Sequence, residues 1–202
     1  MASALYVTNM TVTATLSRKI EVAKLDLPTC KSNKFFPHAV LYRNCSIKGT
    51  CIIFATGKVV CVGCKSLPNA KGLLKCLSEY LTNMNVEHNL CNIQVRSIAG
   101  TCHLGWTINL YETQKLIKAL KYNTFLEPEL FCGLVVKITQ NQTKISIILF
   151  ESGRILITGA KVESDLEKYL SLVIHNVVHY RKPQCTGSAT AEANCCYCNR
   201  FV

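Results

Sequence analysis

One pattern of apolar and polar positions occurs twice along the chain. FATGKVVCVGCK (54–65) and FESGRILITGAK (150–161) both run from Phe through a turn ending in Gly and a cation, then through an apolar stretch to Gly-x-Lys. A further apolar stretch precedes each Phe. Short apolar runs separated by such a turn predict a β-hairpin in each place. The chain therefore uses one supersecondary unit twice, and an internal repeat constrains the architecture strongly.

The similarity extends outward from both hairpins. Upstream, residues 34–43 parallel 129–138, and residues 9–16 parallel 97–104. Downstream of each hairpin, apolar residues recur every three or four positions, which predicts one long amphipathic helix per copy. Each copy reads as a strand, a short helix, several strands and a long helix. We predict an α+β fold in which a pseudo-twofold tandem repeat shares one continuous sheet.

The hairpin strands are apolar on both faces. Because side chains alternate across a strand, one face of the first hairpin carries Thr50, Ile52, Phe54, Lys58, Val60 and Val62, and the other carries Cys51, Ile53, Val59, Cys61 and Gly63. Two long helices cover one face, and an antiparallel sheet that exposes its other face to water is normally polar there. An uncovered apolar face predicts a binding surface. The alternative is burial by an obligate partner or by a second copy of the chain.

The charge lies in the folded part of the chain. The formal net charge is +11, and the two charged residues after Pro183, Glu192 and Arg200, cancel. A basic domain favours nucleic acid or an acidic surface as its partner, the alternative being a protein that is basic for solubility alone.

An apolar face with basic edges suits the DNA minor groove. Proteins that bind there insert apolar wedges between base steps and hold the phosphates with cations. The candidate wedges occupy repeat-related positions and are Phe36, Phe54, Phe131 and Phe150. The candidate phosphate contacts are Lys58, Lys65, Lys137, Arg154 and Lys161.

Three motifs match the sequence pattern of one protein family. EPELFCGL (127–134) is close to the family's E-P-E-L-F-P-G-L, and both hairpins carry F-x-[ST]-G-[KR] followed by [TV]-G-x-K. In addition, TNMTVTATLSRKIEVAKL (8–25) is similar to the segment that forms the family's first strand and helix. Over about residues 4–182 the chain resembles the TATA-binding protein family. The resemblance implies a saddle, in which a ten-stranded curved antiparallel sheet lies below four helices. It also implies that the underside binds and bends TA-rich double-stranded DNA through the minor groove.

The resemblance implies a general transcription initiation factor. We expect a first repeat at 4–89, a second repeat at 90–182 and a flexible Cys-rich tail at 183–202. The expected location is the nucleus, or a viral transcription site if a virus encodes the chain. The protein is expected to be a monomer or to self-associate. No enzymatic activity and no cofactor are expected.

The family's wedge positions match Phe54, Phe131 and Phe150. The fourth wedge falls on Phe36, whereas an alternative alignment places Pro37 there. The resemblance assigns the minor-groove floor to Asn9, Ile52, Val60, Val62, Ser97, Ile148, Leu156 and Thr158.

Two central floor positions depart from the family. Where the family has two Asn and two Thr, Asn9 and Thr158 match, but Ser97 and Val62 stand at the other two positions. Val62 has no hydrogen-bond donor, and Ser97 is shorter than Asn. Because the minor groove mainly separates A·T from G·C pairs, these changes predict a relaxed sequence preference with bending retained.

A loop beside the second hairpin predicts a protein partner. Glu127, Glu129 and Leu130 match the family's contact with transcription factor IIB, which links the complex to RNA polymerase. The corresponding first-repeat loop departs from the family, so binding of transcription factor IIA stays open. A rival hypothesis is a protein-interaction module or antagonist that keeps the saddle but binds DNA weakly. The four Phe favour DNA binding, and Val62 with Ser97 favours the rival.

Most of the thirteen cysteines are expected to be reduced, because their number is odd and most lie in apolar contexts. For Cys61-Val-Gly-Cys64, packing is preferred to a zinc or redox site. A tail zinc site would draw on Cys185, Cys195, Cys196, Cys198, His175 and His179, but the spacing fits no common zinc pattern. No metal, catalytic set or membrane span is predicted.

Overall fold

The computed structural model describes residues 4–22, 25, 39–140 and 143–177. Its strands are β1 (Tyr6–Leu16), β2 (Ala39–Tyr42), β3 (Thr50–Phe54), β4 (Lys58–Cys64), β5 (Leu90–His103), β6 (Asn123–Phe125), β7 (Gly133–Gln140), β8 (Thr143–Phe150) and β9 (Arg154–Ala160). Its helices are α1 (Leu67–Asn83), α2 (Leu110–Ala119) and α3 (Glu163–Val177).

The strands form one antiparallel sheet whose order displays the repeat. The order is β2-β3-β4-β1-β5-β9-β8-β7-β6. β1 is the first strand of the first repeat and β5 is the first strand of the second, and these two strands pair with each other at the centre of the sheet. Outward from this pair, β4, β3 and β2 on one side correspond to β9, β8 and β7 on the other. The predicted α+β fold, with two pseudo-twofold halves sharing one sheet, is confirmed.

The described residues contain nine strands and three helices, where ten and four were predicted. The short helix α2 and the edge strand β6 belong to the second repeat. Their first-repeat counterparts would fall between β1 and β2. Residues 23–24 and 26–38 of that stretch lie outside the described part of the chain.

The helices and one face of the sheet form a single core. The strand residues on this face, such as Ile53, Val59, Ile147 and Ile155, have no exposed surface. α1 adds Leu73, Leu74, Leu77 and Leu81, all fully buried, and α3 adds Leu166, Tyr169 and Val173. In the described ranges, no helix has the length and apolar character needed to cross a membrane.

The two hairpin turns are anchored in the same way. The carbonyl oxygen of Gly57 accepts a 2.7 Å hydrogen bond from the Leu16 N–H, and that of Gly153 accepts a 2.9 Å bond from the Leu104 N–H. Both glycines have positive φ, 84° and 87°. A β-carbon on either would collide with a backbone carbonyl of the segment that follows the first strand of its repeat. Backbone conformation and space therefore both require Gly at the end of each turn.

The repeated Gly-x-Lys marks a β-bulge in each half. Gly63 and Gly159 have φ of 81° and 98°, and the register against the neighbouring central strand shifts at both places. Regular alternation puts Gly63 on the helix-covered face, and this prediction is wrong. The bulge leaves Gly63 exposed and places Cys64 in the core instead.

Candidate nucleic-acid interface

The face of the sheet opposite the helices, called the underside below, is apolar and partly exposed. Its half-buried residues include Ile52, Phe54, Val60, Val62, Ile148, Phe150, Leu156 and Thr158. Ile52 lies opposite Val60 on the neighbouring strand, and Ile148 lies opposite Leu156. The described helices pack against the other face. The uncovered apolar face that the alternation predicts is therefore present.

At the second-repeat end of the underside, two predicted wedges form one unit. The rings of Phe131 and Phe150 meet edge to face, with centroids 6.0 Å apart and planes at 64°. Gly133 lies directly opposite Phe150 in the register. A β-carbon on Gly133 would stand 2.8 Å from the Phe131 ring, so the missing side chain creates the space that this ring occupies.

At the first-repeat end, Phe54 takes the place of Phe150. Its register partner is Ala39, which therefore corresponds to Gly133. Phe131 precedes Gly133 by two residues, and the residue two before Ala39 is Pro37, whereas Phe36 is three before. Both Phe36 and Pro37 lie outside the described residues, so the wedge at Phe36 stays a prediction.

The four central positions lie on four adjacent strands. Val62, Asn9, Ser97 and Thr158 belong to β4, β1, β5 and β9, and all are half-buried. The Asn9 Oδ1 accepts a 2.7 Å hydrogen bond from the N–H of Gly63. Since that bond uses the side-chain oxygen, the Asn9 amide NH₂ is left to donate elsewhere. The bulge thus fixes which end of the Asn9 side chain is available to a ligand.

Sequence reasoning missed two hydroxyls beside the central positions. Thr50 lies opposite Val62, and Ser146 lies opposite Thr158, on the same face of the sheet. The Thr50 hydroxyl accepts a 3.1 Å hydrogen bond from the Nε of Arg43, which leaves its own proton to donate. Alternation placed Thr50 on this face without giving it a role, and it did not single out Ser146, because cross-strand register decides which residues adjoin a given position.

The predicted phosphate contacts, called the rim cations below, are exposed and form no ion pair with any described carboxylate. They are Lys58, Lys65, Lys137, Arg154 and Lys161. In the part of the chain that the structure describes, ion pairs join Arg18 to Glu87, Lys75 to Glu79 and Lys115 to Glu112. None of these involves a rim cation. The rim charge is therefore not neutralised by the described carboxylates.

The loop 127–130 lies beside the wedge pair. The carbonyl oxygen of Glu127 accepts 2.9 Å hydrogen bonds from the N–H groups of Leu130 and Phe131, which closes a compact turn. Glu127 and Glu129 are exposed, and Leu130 is 81% exposed. An exposed Leu directly after two exposed carboxylates suits a protein partner better than DNA.

The described cysteines are free thiols, and those in the core pack as small apolar groups. Cys51 and Cys61 are opposite each other on the helix-covered face, with sulfurs 2.8 Å apart. Their mutual hydrogen bond, and then burial, raises the pKa of Cys51 far above its usual value. Burial likewise raises the pKa of Cys64.

The described residues contain no cluster of three or more metal-ligating side chains. Of the predicted tail site, only His175 belongs to the described chain, where it is exposed. His179, Cys185, Cys195, Cys196 and Cys198 lie outside.

One family of known sequences matches nearly the whole of both repeats. The sequence model of "Transcription factor TFIID (or TATA-binding protein, TBP)" matches residues 4–84 and 92–180. TATA-box-binding protein 3 of Methanosarcina acetivorans is 30% identical over 86% of this chain and 94% of its own length. TATA box-binding protein-like 2 of the mouse is 30% identical over 78% of this chain, and the TATA-box-binding protein of Acanthamoeba castellanii is 28% identical over 86%.

The chain spans part of several relatives, 45% of the mouse protein and 66% of the Acanthamoeba protein. The solved structure of Methanococcus jannaschii TBP superimposes with a TM-score of 0.73 over 87% of this chain and 98% of its own, at 24% identity, which shows the shared fold. This is a family of transcription factors, not enzymes, so the expectation of no enzymatic activity is confirmed at the level of the family. On the match of its sequence over both repeats, the chain belongs to the TATA-binding protein family.

Proposed function

We propose that the protein is a general transcription initiation factor that binds TA-rich DNA through the minor groove and bends it. The observation that carries the proposal is the apolar underside, which the described helices leave uncovered. It ends in the contacting rings of Phe131 and Phe150 and is edged by cations that form no ion pair with the described carboxylates. Minor-groove proteins, the TATA-binding protein itself among them, insert apolar side chains between base steps and kink the duplex.

The wedge energetics favour two rings at one kink. A Phe ring buries roughly 150–250 Å² when fully enclosed. Because less than half of each ring is still exposed, covering the remainder of one ring yields about 1–2 kcal/mol. Unstacking one base step costs a few kcal/mol, which exceeds this gain. A single ring therefore does not offset one kink, and the pair formed by Phe131 and Phe150 brings the gain close to the cost.

The rim cations hold the phosphates on both sides of the groove. Each phosphate contact releases a counterion, so the logarithm of the binding constant falls with log salt by roughly 0.9 per contact. If all five rim cations bind phosphate, the slope is about −4 to −5. Fluorescence anisotropy with a TA-rich duplex at several salt concentrations tests this. A slope near zero would remove the rim cations from the interface, and absence of binding at low salt would overturn the proposal.

The loop 127–130 recruits a partner similar to transcription factor IIB, and through it the RNA polymerase machinery. Its carboxylates point to a protein contact, since they would repel phosphate. Leu130→Ala is expected to abolish the ternary complex of protein, duplex and purified factor IIB in a gel-shift assay while the binary complex persists. Equal loss of both complexes would argue against a partner role for the loop. The site of action that this function implies is the nucleus, or a viral transcription site if the gene is viral.

A second candidate is a protein-interaction module that binds DNA weakly. It is favoured by Val62, which places a methyl group where a donor is expected. In this case the underside would bind a protein, and the anisotropy titration would show no preference for any duplex.

A further inference from the structure

The two central strands carry a matched pair of β-bulges. In the pairing of β1 with β5, Val7 lies opposite Gly100 and Asn9 opposite Ala99, which leaves Thr8 as an extra residue. On the other strand, Val95 lies opposite Val12 and Ser97 opposite Thr11, which leaves Arg96 as an extra residue. Asn9 and Ser97 are repeat-related, so Thr8-Asn9 in the first repeat corresponds to Arg96-Ser97 in the second.

The second bulge brings Arg96 onto the underside. The Arg96 Nε donates a 2.8 Å hydrogen bond to the Thr13 hydroxyl. Thr13 lies opposite Val60, which is an underside residue. Ser97 shares this face with Arg96, while Ile98 turns into the core with 2% of its surface exposed. Two consecutive residues on one face are what a bulge permits and regular alternation does not.

Arg96 differs from the rim cations in where it lies. It belongs to one of the two strands at the centre of the sheet, and within the described residues it forms no ion pair. Its Nε is used by Thr13, which leaves the terminal Nη groups of an exposed guanidinium to donate. In a duplex bound as proposed above, the base edges meet the four central positions, and Arg96 is the chain neighbour of one of them, Ser97.

We infer that Arg96 reads base edges in the minor groove and supplies in the second repeat the donor that the amide of Asn9 supplies in the first. The inference rests on the proposed function and identifies a specificity determinant of the same surface. Ser97 is too short to provide this donor, and the adjacent bulge residue provides it instead.

The chemistry of the guanidinium decides which base pairs Arg96 prefers. Its N–H groups are all donors, and an A·T pair offers only acceptors in the minor groove. A G·C pair adds the N2 amino group, itself a donor, and A·T-rich grooves carry the more negative potential. Arg96 therefore favours A·T pairs under the second repeat and opposes the loss of discrimination expected from Ser97 and Val62.

The test compares affinities for a TA-rich and a GC-rich duplex by fluorescence anisotropy at one salt concentration. Arg96→Gln removes the charge but keeps a donor for Thr13, and Lys137→Gln removes a rim cation as the matched control. Arg96→Gln is expected to weaken TA-rich binding by about tenfold while GC-rich binding changes little. Lys137→Gln is expected to weaken both equally. The inference would be overturned if Arg96→Gln weakened binding to the TA-rich and the GC-rich duplex equally, or weakened neither.

Two further measurements identify the contact. Arg96→Thr combined with Ser97→Asn copies the first-repeat pair Thr8-Asn9, and we expect it to recover the preference for the TA-rich duplex. Replacing adenines one at a time by 3-deazaadenine removes the N3 acceptor. We expect one position at which this replacement weakens DNA binding by the wild type but not by Arg96→Gln. If no position behaves in this way, Arg96 does not contact a base edge. Failure of the wild type to bind either duplex would instead refute the proposed function itself.

Discussion

The N–H of Gly63 donates a 2.7 Å hydrogen bond to the side-chain oxygen of Asn9, across the pair β4 and β1. An N–H needs an acceptor, so the bond orients the Asn9 amide with its NH₂ away from the bulge. Local backbone geometry in one strand thus sets the hydrogen-bonding character of a side chain in the next, at the centre of the underside.

The variant Asn9→Asp tests whether the outward-facing NH₂ of Asn9 contacts DNA, while keeping the hydrogen bond from the Gly63 N–H. A carboxylate keeps an acceptor for the Gly63 N–H but replaces the outward donor with a negative charge. We expect an unchanged thermal unfolding midpoint near neutral pH and a loss of TA-rich DNA affinity of at least tenfold, because the carboxylate meets only acceptors in an A·T groove. Differential scanning fluorimetry and anisotropy measure the two quantities. Retained DNA affinity would mean that Asn9 does not face the bases.

The wedge pair is expected to act as one unit. Because the rings of Phe131 and Phe150 touch, Phe131→Ala and Phe150→Ala should be non-additive in DNA affinity, with a coupling of about 0.5–1.5 kcal/mol. Phe54→Ala with Phe150→Ala is the control pair, since these rings lie in opposite halves of the sheet and should add. Additive losses for Phe131 and Phe150 would show that each ring inserts independently.

The two bulge glycines are expected to differ in their tolerance of a side chain. Both have positive φ, but a β-carbon on Gly159 would collide with the backbone oxygen of Lys144, whereas one on Gly63 has no neighbour closer than 3.5 Å. Gly63→Ala should lower the free energy of unfolding by about 1–2 kcal/mol, from backbone strain alone. Gly159→Ala should cost more than about 3 kcal/mol, since backbone must move. Urea denaturation measures both, and equal costs would contradict the difference in packing.

Much of this architecture follows from the hydrophobic pattern. The repeated hairpin, the long helix after it and the second apolar face need only period-two and helical spacing, and all three are present. The bulges at Gly63 and Arg96 break the period of two, so the alternation misplaced Gly63 and gave no reason to single out Arg96. Register between distant strands is a tertiary property, and it decides that Thr50 adjoins Val62 and that Phe131 touches Phe150.

The variant Val62→Thr tests whether the first repeat lacks a hydrogen-bond donor that would contact the bases. Thr158 occupies the equivalent position and lies opposite Ser146, as Val62 lies opposite Thr50. A hydroxyl at position 62 is expected to raise the ratio of TA-rich to GC-rich affinity several-fold, through about 1 kcal/mol from one added donor. Thr158→Val is the reciprocal variant and should lower the ratio by a similar factor. If neither variant changes the ratio, these positions do not contact bases.

The central claim is that the underside bends DNA by wedge insertion at both ends. The direct measurement is fluorescence energy transfer between dyes at the two ends of a TA-rich duplex, with protein at saturation. We predict a large rise in transfer with the wild type, and little rise with Phe54→Ala/Phe150→Ala at a concentration that gives equal occupancy by anisotropy. A wild type that saturates the duplex without changing the transfer, or a double variant that bends it equally, would contradict the account.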